Sequence, residues 1–84
     1  MSTFATALSA LPMGTFTGRV AGRRYVVTKS AFSAGRAIKL VAEELGGTDY
    51  ISLNWYDLAA GPVLKPCEMP EAKVVRFVLD LMVD

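Results

Sequence analysis

The sequence predicts an α+β fold: an antiparallel four- to five-stranded β-meander, with an N-terminal short helix and a C-terminal amphipathic helix packed on one face. Three observations carry that prediction. Residues 39–55 alternate apolar and polar on both sides of a Gly46-Gly47-Thr48-Asp49 connection, the pattern of a hairpin covered on one face. Two further tight turns, at Ala21-Gly22 and Ala34-Gly35, put the flanking strands in registers that agree with the hairpin about which side is the core. Both ends of the chain carry apolar residues at helical spacing.

Residues 3–11 predict a short helix, because Phe4, Ala7, Leu8 and Leu11 recur at i, i+3, i+4 and i+7. Ser2 or Thr3 caps it, and Pro12 with Gly14 ends it. Strand one is expected at 15–20 and strand two at 23–30. A two-residue turn between them sets Phe16 against Val27, Gly18 against Tyr25 and Arg19 against Arg24. The Tyr25 ring then covers backbone that Gly18 leaves bare. Through the next turn Val27 meets Ala42, on a third strand at 36–44. In the third hairpin a loop at 46–49 pairs Ala42 with Leu53 and Leu40 with Trp55, while Thr48 and Asp49 bond back onto the turn. One inward row, Phe16–Val27–Ala42–Leu53, crosses all these strands without a conflict of parity. Lys29 is the exception. It falls opposite Leu40 on the inward face, and a bulge near Ser30 would relieve it.

Strand four is expected at 50–57, and Val63-Leu64-Lys65 is a candidate fifth strand, held to an edge by Pro66. Pro70 opens the last helix in its first turn, where a missing N–H costs nothing. Lys73, Arg76 and Asp80 share one polar strip of that helix. Val74, Val75, Phe77, Val78, Leu79, Leu81 and Met82 fill an arc of about 200°, twice the stripe of roughly 100° that a one-sided surface helix needs. That excess predicts a protein–protein contact, a homodimer or a heterologous complex, in which Phe77, Leu79 and Leu81 reach outward.

The composition bounds what such a fold can do. The 84 residues, 52% hydrophobic and 20% charged, describe one globular domain spanning 1–84, with a core close to the minimum. One cysteine excludes an internal disulfide, and the absence of histidine leaves a zinc site almost no ligands. No cofactor or metal is expected. No apolar run reaches the ~20 residues of a membrane span, and the N-terminus lacks a basic n-region. A cytoplasmic location is the default. The net charge of +1 conceals a segregation: residues 1–40 hold six basic residues and no acid, while residues 41–84 hold three bases and eight acids, or 3 − 8 = −5. Folding sets the halves side by side, so mutual neutralisation is expected. This balance argues against a dedicated nucleic-acid domain and leaves at most weak binding through the basic first half.

Cys67 is the one candidate nucleophile. It stands just before the last helix, but Glu68 adjoins it and the chain has no histidine to act as a base. A small buried hydrophobe is the commoner role for such a residue. Glu43 and Glu44 are strand neighbours that point to opposite faces, so they share no site. On the face away from the core, Lys39, Asn54 and Tyr56 fall together with Val41 and Val26, and Arg19 and Arg24 lie opposite each other. This is a mixed aromatic–basic surface of the kind that stacks bases.

The segments Lys39–Asn54, Lys65-Pro-Cys-Glu-Met-Pro-Glu-Ala-Lys-Val74 and Gly18-Arg-Val-Ala-Gly-Arg-Arg-Tyr25 together resemble a family of small bacterial proteins of unassigned function. Its members often carry the label "peptide methionine sulfoxide reductase", which implies a redox role for Cys67. The reductases of that name present their nucleophile in a Gly-Cys-Phe context, or pair zinc-binding Cys-x-x-Cys motifs with a separate catalytic cysteine. Cys67 stands in Lys-Pro-Cys-Glu, with no second thiol to resolve a sulfenic acid. The reading that fits the residues best is a small non-catalytic binding or assembly module. A reductase-like protein using Cys67 and a weak nucleic-acid binder are its alternatives.

Overall fold

Tight turns, more than the helices, fix this topology. Ala21 and Gly22 both adopt positive φ, 53° and 77°, which gives the two-residue connection the same twist as the strands it joins. The computed structural model describes residues 3–84, so the Ser2 cap lies outside the described residues. A short helix, α1 (Thr3–Ala10), precedes β1 (Gly14–Val20), β2 (Arg23–Phe32), β3 (Ala37–Glu44), β4 (Tyr50–Leu58) and β5 (Gly61–Pro66). Helix α2 (Glu71–Asp80) and a two-residue strand β6 (Met82–Val83) complete the chain. The strands form one antiparallel sheet in the order β5-β4-β3-β2-β1-β6. Proline-flanked β5 is an edge, as Pro66 requires.

Both helices lie on the face that carries Leu40, Leu53 and Trp55, and one core joins them to the sheet. Phe4 of α1 meets Trp55 at 5.4 Å between ring centroids. Phe77 of α2 packs edge-on against Tyr25 at 4.9 Å. The first two hairpin registers are as the turns predict: Phe16 faces Val27, Gly18 faces Tyr25 and Val27 faces Ala42.

The third hairpin is displaced by two residues from the expected pairing. Ala42 faces Ile51, Leu40 faces Leu53 and Ile38 faces Trp55. The cause lies at the loop. Glu44 N–H donates to the Asp49 carbonyl at 2.9 Å, the Glu44 carboxylate accepts from Asp49 N–H at 3.3 Å, and Leu45 N–H stays paired to the Arg24 carbonyl at 2.8 Å. The strand pairing therefore runs on to Glu44, and the connection is 45–48 rather than 46–49. Because the displacement is even, every side chain keeps its face.

Lys29 needs no bulge. Ser30 pairs in register with Lys39, and Lys29 faces Leu40 with only 4% of its surface exposed. Its ammonium donates to the Leu8 carbonyl at 2.6 Å and the Leu11 carbonyl at 2.8 Å, with Ser9 at 3.4 Å. The Leu8 carbonyl also accepts the Leu11 N–H at 3.2 Å, so the ammonium is its second donor, and a cation suits the negative end of the helix dipole. Burial pushes the Lys29 ammonium below its ordinary 10.5.

The end of the chain departs further from expectation. Pro70 stands at the cap of α2, not inside its first turn, and the helix stops at Asp80. Leu81 turns to an extended conformation, with its N–H on the Phe77 carbonyl at 3.0 Å. Met82 and Val83 then pair with Arg19 and Gly18 of β1. Leu81 takes the space over Gly18, where a Cβ would stand 2.7 Å from its Cδ1. The Met82 carbonyl oxygen would stand 3.0 Å from the same Cβ, so the glycine at 18 makes room for the turn of the chain into β6.

Candidate binding surface on the open face of the sheet

The registers that bury one face also compose the other, because side chains alternate along each strand. Two neighbouring rows of the open face hold its most distinctive chemistry. One runs Phe32–Ala37–Tyr56–Val63 and the next Ser30–Lys39–Asn54–Lys65. Phe32 and Tyr56 meet edge to face, with centroids 6.1 Å apart at 90°. Ala37 between them is 1% exposed, although it lies away from the helix-covered face. The two rings are its cover. Phe32 itself is 40% exposed.

The structure thus brings Lys39, Asn54 and Tyr56 together, as the strand pattern predicts. It does not bring Arg19 and Arg24 to them. Those two arginines face each other at the far end of β1 and β2, where Asp84 lies between them. Arg19 Nε is 3.2 Å from Asp84 Oδ1, and Arg24 Nη2 is 3.2 Å from Oδ2. Thr17 donates its hydroxyl to the same carboxylate at 2.9 Å. That hydroxyl and then the two guanidinium groups hold the Asp84 carboxyl below its ordinary 3.8. Arg23 is 4.0 Å from Glu44. Three of the first half's cations are therefore paired to acids of the second half. Lys39, Lys65 and Arg36 have no carboxylate within salt-bridge distance among the described residues.

Phe32 and Lys65 belong to this surface but are absent from the predicted set. The signal for Phe32 was available: a register that joins Val27 to Ala42 also joins Phe32 to Ala37, five steps along. Ending strand two at 30 hid it. Lys65 depends on the β4–β5 pairing, which no tight-turn motif announces.

The outward reach expected of Phe77 and Leu81 is corrected. Phe77 is buried in the chain's own core, and Leu81 is half-buried over Gly18. The sharp stop at Asp80 takes Leu81 and Met82 out of the helix, so the apolar arc is narrower than a continuous helix implies. Of the three predicted contact residues, Leu79 alone is exposed, at 45%.

No protein-family model, curated protein or solved structure matches this chain. The functional reading rests on its residues and their placement.

Cys67 is half-buried, and its N–H donates to the Ser52 carbonyl at 3.0 Å, which continues the β5 pairing by one residue. Glu43 and Glu44 lie on opposite faces, with Glu43 beside Val26 and Tyr50. Among the described residues no group of three or more cysteine, aspartate or glutamate side chains is placed to hold a metal ion. No helix is long and apolar enough to cross a membrane.

Proposed function

We propose that this chain is a non-catalytic, cytoplasmic binding module that holds single-stranded nucleic acid, with modest affinity, on the open face of its sheet. The observation that supports this reading is the Phe32–Tyr56 pair standing beside two lysines that have no acidic partner among the described residues. Aromatic faces on an exposed sheet stack bases without regard to sequence, and nearby cations follow the phosphates. Asn54 lies between Lys39 and Lys65 and supplies both a donor and an acceptor for a base edge. The arginines at the other end share the Asp84 carboxylate and lie away from the aromatic pair, so they contribute less.

The test is a titration of labelled single-stranded RNA and DNA at low and moderate salt. Tyr56→Ala is expected to weaken binding by about 1–3 kcal/mol per stacked base. Lys39→Glu with Lys65→Glu is expected to flatten the salt dependence by about one unit of slope per lost phosphate contact. Arg19→Gln is expected to change neither. No binding at low salt, or binding that Tyr56→Ala leaves alone, would overturn the proposal.

A second reading, self-association, is supported by the remaining exposed strip of α2. Ala72, Val75 and Leu79 line an open groove of about 410 Å³ there. Sedimentation over a range of concentrations tests it: a homodimer that Leu79→Glu dissociates supports this reading, and a concentration-independent monomer removes it.

A further inference from the structure

The helix-covered side of the sheet holds a second feature, unrelated to the open face. The β1–β2 turn, the start of β4 and helix α2 border an open cleft of about 400 Å³, within the range of small-molecule sites. Its floor is apolar, formed by Val20, Ile51 and Phe77, with the Tyr25 ring edge-on to Phe77. Its rim is charged. Asp49 stands at the centre, and both of its oxygens are engaged: Oδ2 accepts the Tyr25 hydroxyl at 2.8 Å, and Oδ1 accepts the Lys73 ammonium at 2.7 Å. The Lys73 bond first, then the Tyr25 bond, hold the Asp49 carboxyl below its ordinary 3.8. Asp49 is therefore a fixed anion whose charge Lys73 consumes.

What is left over decides what the cleft can take. Arg23 lies 4.0 Å from Glu44, at the limit of an ion pair. Arg76 lines the cleft with no acid in reach among the described residues; even Asp80, one turn along the helix, makes no ion pair with it. Three cations (Arg23, Lys73, Arg76) face two carboxylates (Asp49, Glu44), which leaves 3 − 2 = +1 at the mouth of an apolar floor. The Tyr25 hydroxyl and the Lys73 ammonium are already committed, and Arg23 is turned to Glu44 and to the Tyr25 hydroxyl, so the freest donor is the Arg76 guanidinium. A guanidinium presents a planar fork that matches a carboxylate.

We propose that this cleft binds a small organic monoanion, an apolar body ending in one carboxylate. The body lies on Val20, Ile51 and Phe77, and the carboxylate takes Arg76 with Arg23. A phosphate dianion brings one charge too many and nothing to cover the floor. A neutral analogue leaves Arg76 uncompensated. The site lies on the other side of the sheet from Phe32 and Tyr56, so the outcome of the oligonucleotide experiment does not bear on it.

Benzoate, benzamide and inorganic phosphate are suitable probes, each titrated into the ¹⁵N-labelled chain and followed by amide chemical shifts. Benzoate is expected to give saturable shifts at Val20, Asp49, Ile51, Lys73 and Phe77. Benzamide and the Arg76→Gln variant with benzoate should each bind roughly tenfold more weakly or worse, the loss of about one charge-assisted contact. Ala72→Phe, which fills the cleft from an exposed position on α2, should abolish the shifts while the rest of the spectrum stays folded. Phosphate should not displace benzoate. Shifts that are absent or do not saturate, that persist undiminished in Arg76→Gln or Ala72→Phe, or that benzamide or phosphate reproduces, would each overturn the assignment.

Discussion

Lys29 and Lys39 occupy adjacent rows of the same two paired strands, one turned to each face of the sheet. Lys29 is enclosed, and backbone carbonyls of α1 use its donors. Lys39 is exposed and has no acidic partner among the described residues. Identical side chains thus do opposite work. One closes a helix end and is a component of the fold, while the other leaves its charge available to something outside the chain. A cation's role in this molecule is set by which face its strand position selects, and the charge segregation along the sequence says nothing of that.

The sharpest way to break this contrast is to truncate across it. Leu40 is fully buried beside Lys29. Leu40→Ala should cost about 2–5 kcal/mol, a large share of the stability available to a domain of this size. Lys39→Ala, one residue away, should change stability by less than about 0.5 kcal/mol. Urea denaturation of the two variants measures both. Comparable losses would show that the open face is not open.

Lys29→Met probes the enclosed cation itself. The Leu11 carbonyl loses its donor in a dry setting, while the Leu8 carbonyl keeps the Leu11 N–H, and an orphaned buried acceptor costs about 1–3 kcal/mol. The methionine side chain returns part of that, because an ammonium is no longer desolvated. A net loss of about 1 kcal/mol in the same assay is expected, with hydrogen exchange at 3–11 rising first because α1 is the element released. A variant as stable as the parent would mean that water reaches those carbonyls.

Legibility divides along the same line. The faces were readable because strand parity tolerates an even error: the third hairpin is displaced by two residues, yet Leu40, Leu53 and Trp55 stay inward. The partner of Lys29 was not readable, since the closure of α1 onto β2 joins residues that no turn connects. The same limit hid β6, whose Met82 continues an apolar helical pattern and gives no local sign that the chain will turn to pair with β1. On the candidate surface, Lys39, Asn54 and Tyr56 followed from parity alone. Separating Arg19 and Arg24 from them required knowing where Asp84 lands.

A smaller effect is expected where acid and base are both partly exposed. The folded state holds the Asp49 carboxyl below 3.8, so it binds that proton less readily than the unfolded chain does. The stability this contributes is complete above the unfolded value and is lost as pH falls through the lower folded one. Tyr25 shifts the opposite way, raised above 10.0 by burial first and by the Asp49 bond next. Its share is present below pH 10 and is lost as pH rises through the folded value. Asp49→Asn should remove on the order of 1 kcal/mol at neutral pH, discounted for solvent screening, and should flatten the acid limb of the stability profile. Asp84, whose partners Arg19 and Arg24 are more than half exposed, should show the stronger sensitivity to added salt. If salt affected both sites alike, the cleft would be as wet as the open face.

The smallest effect is expected at Cys67, and it bears on whether the chain does chemistry at all. Its N–H extends the β5 ladder onto Ser52, and its side chain is half-buried at that strand's end. A nucleophilic thiol needs a base or a cation to hold the thiolate, and a sulfoxide reductase needs a second thiol to release the sulfenic acid. The chain has no histidine and no other cysteine, and the neighbour on the C-terminal side is Glu68, held at φ 59°. Cys67→Ser should therefore shift stability by less than about 1 kcal/mol, as a small half-buried side chain does when replaced by a near-isostere. The native thiol should alkylate more slowly below about pH 7 than the same thiol in urea. Methionine sulfoxide offered with a dithiol reductant should not turn over. Turnover that Cys67→Ser abolished would make this strand end a catalytic site and place the molecule's chemistry at β5.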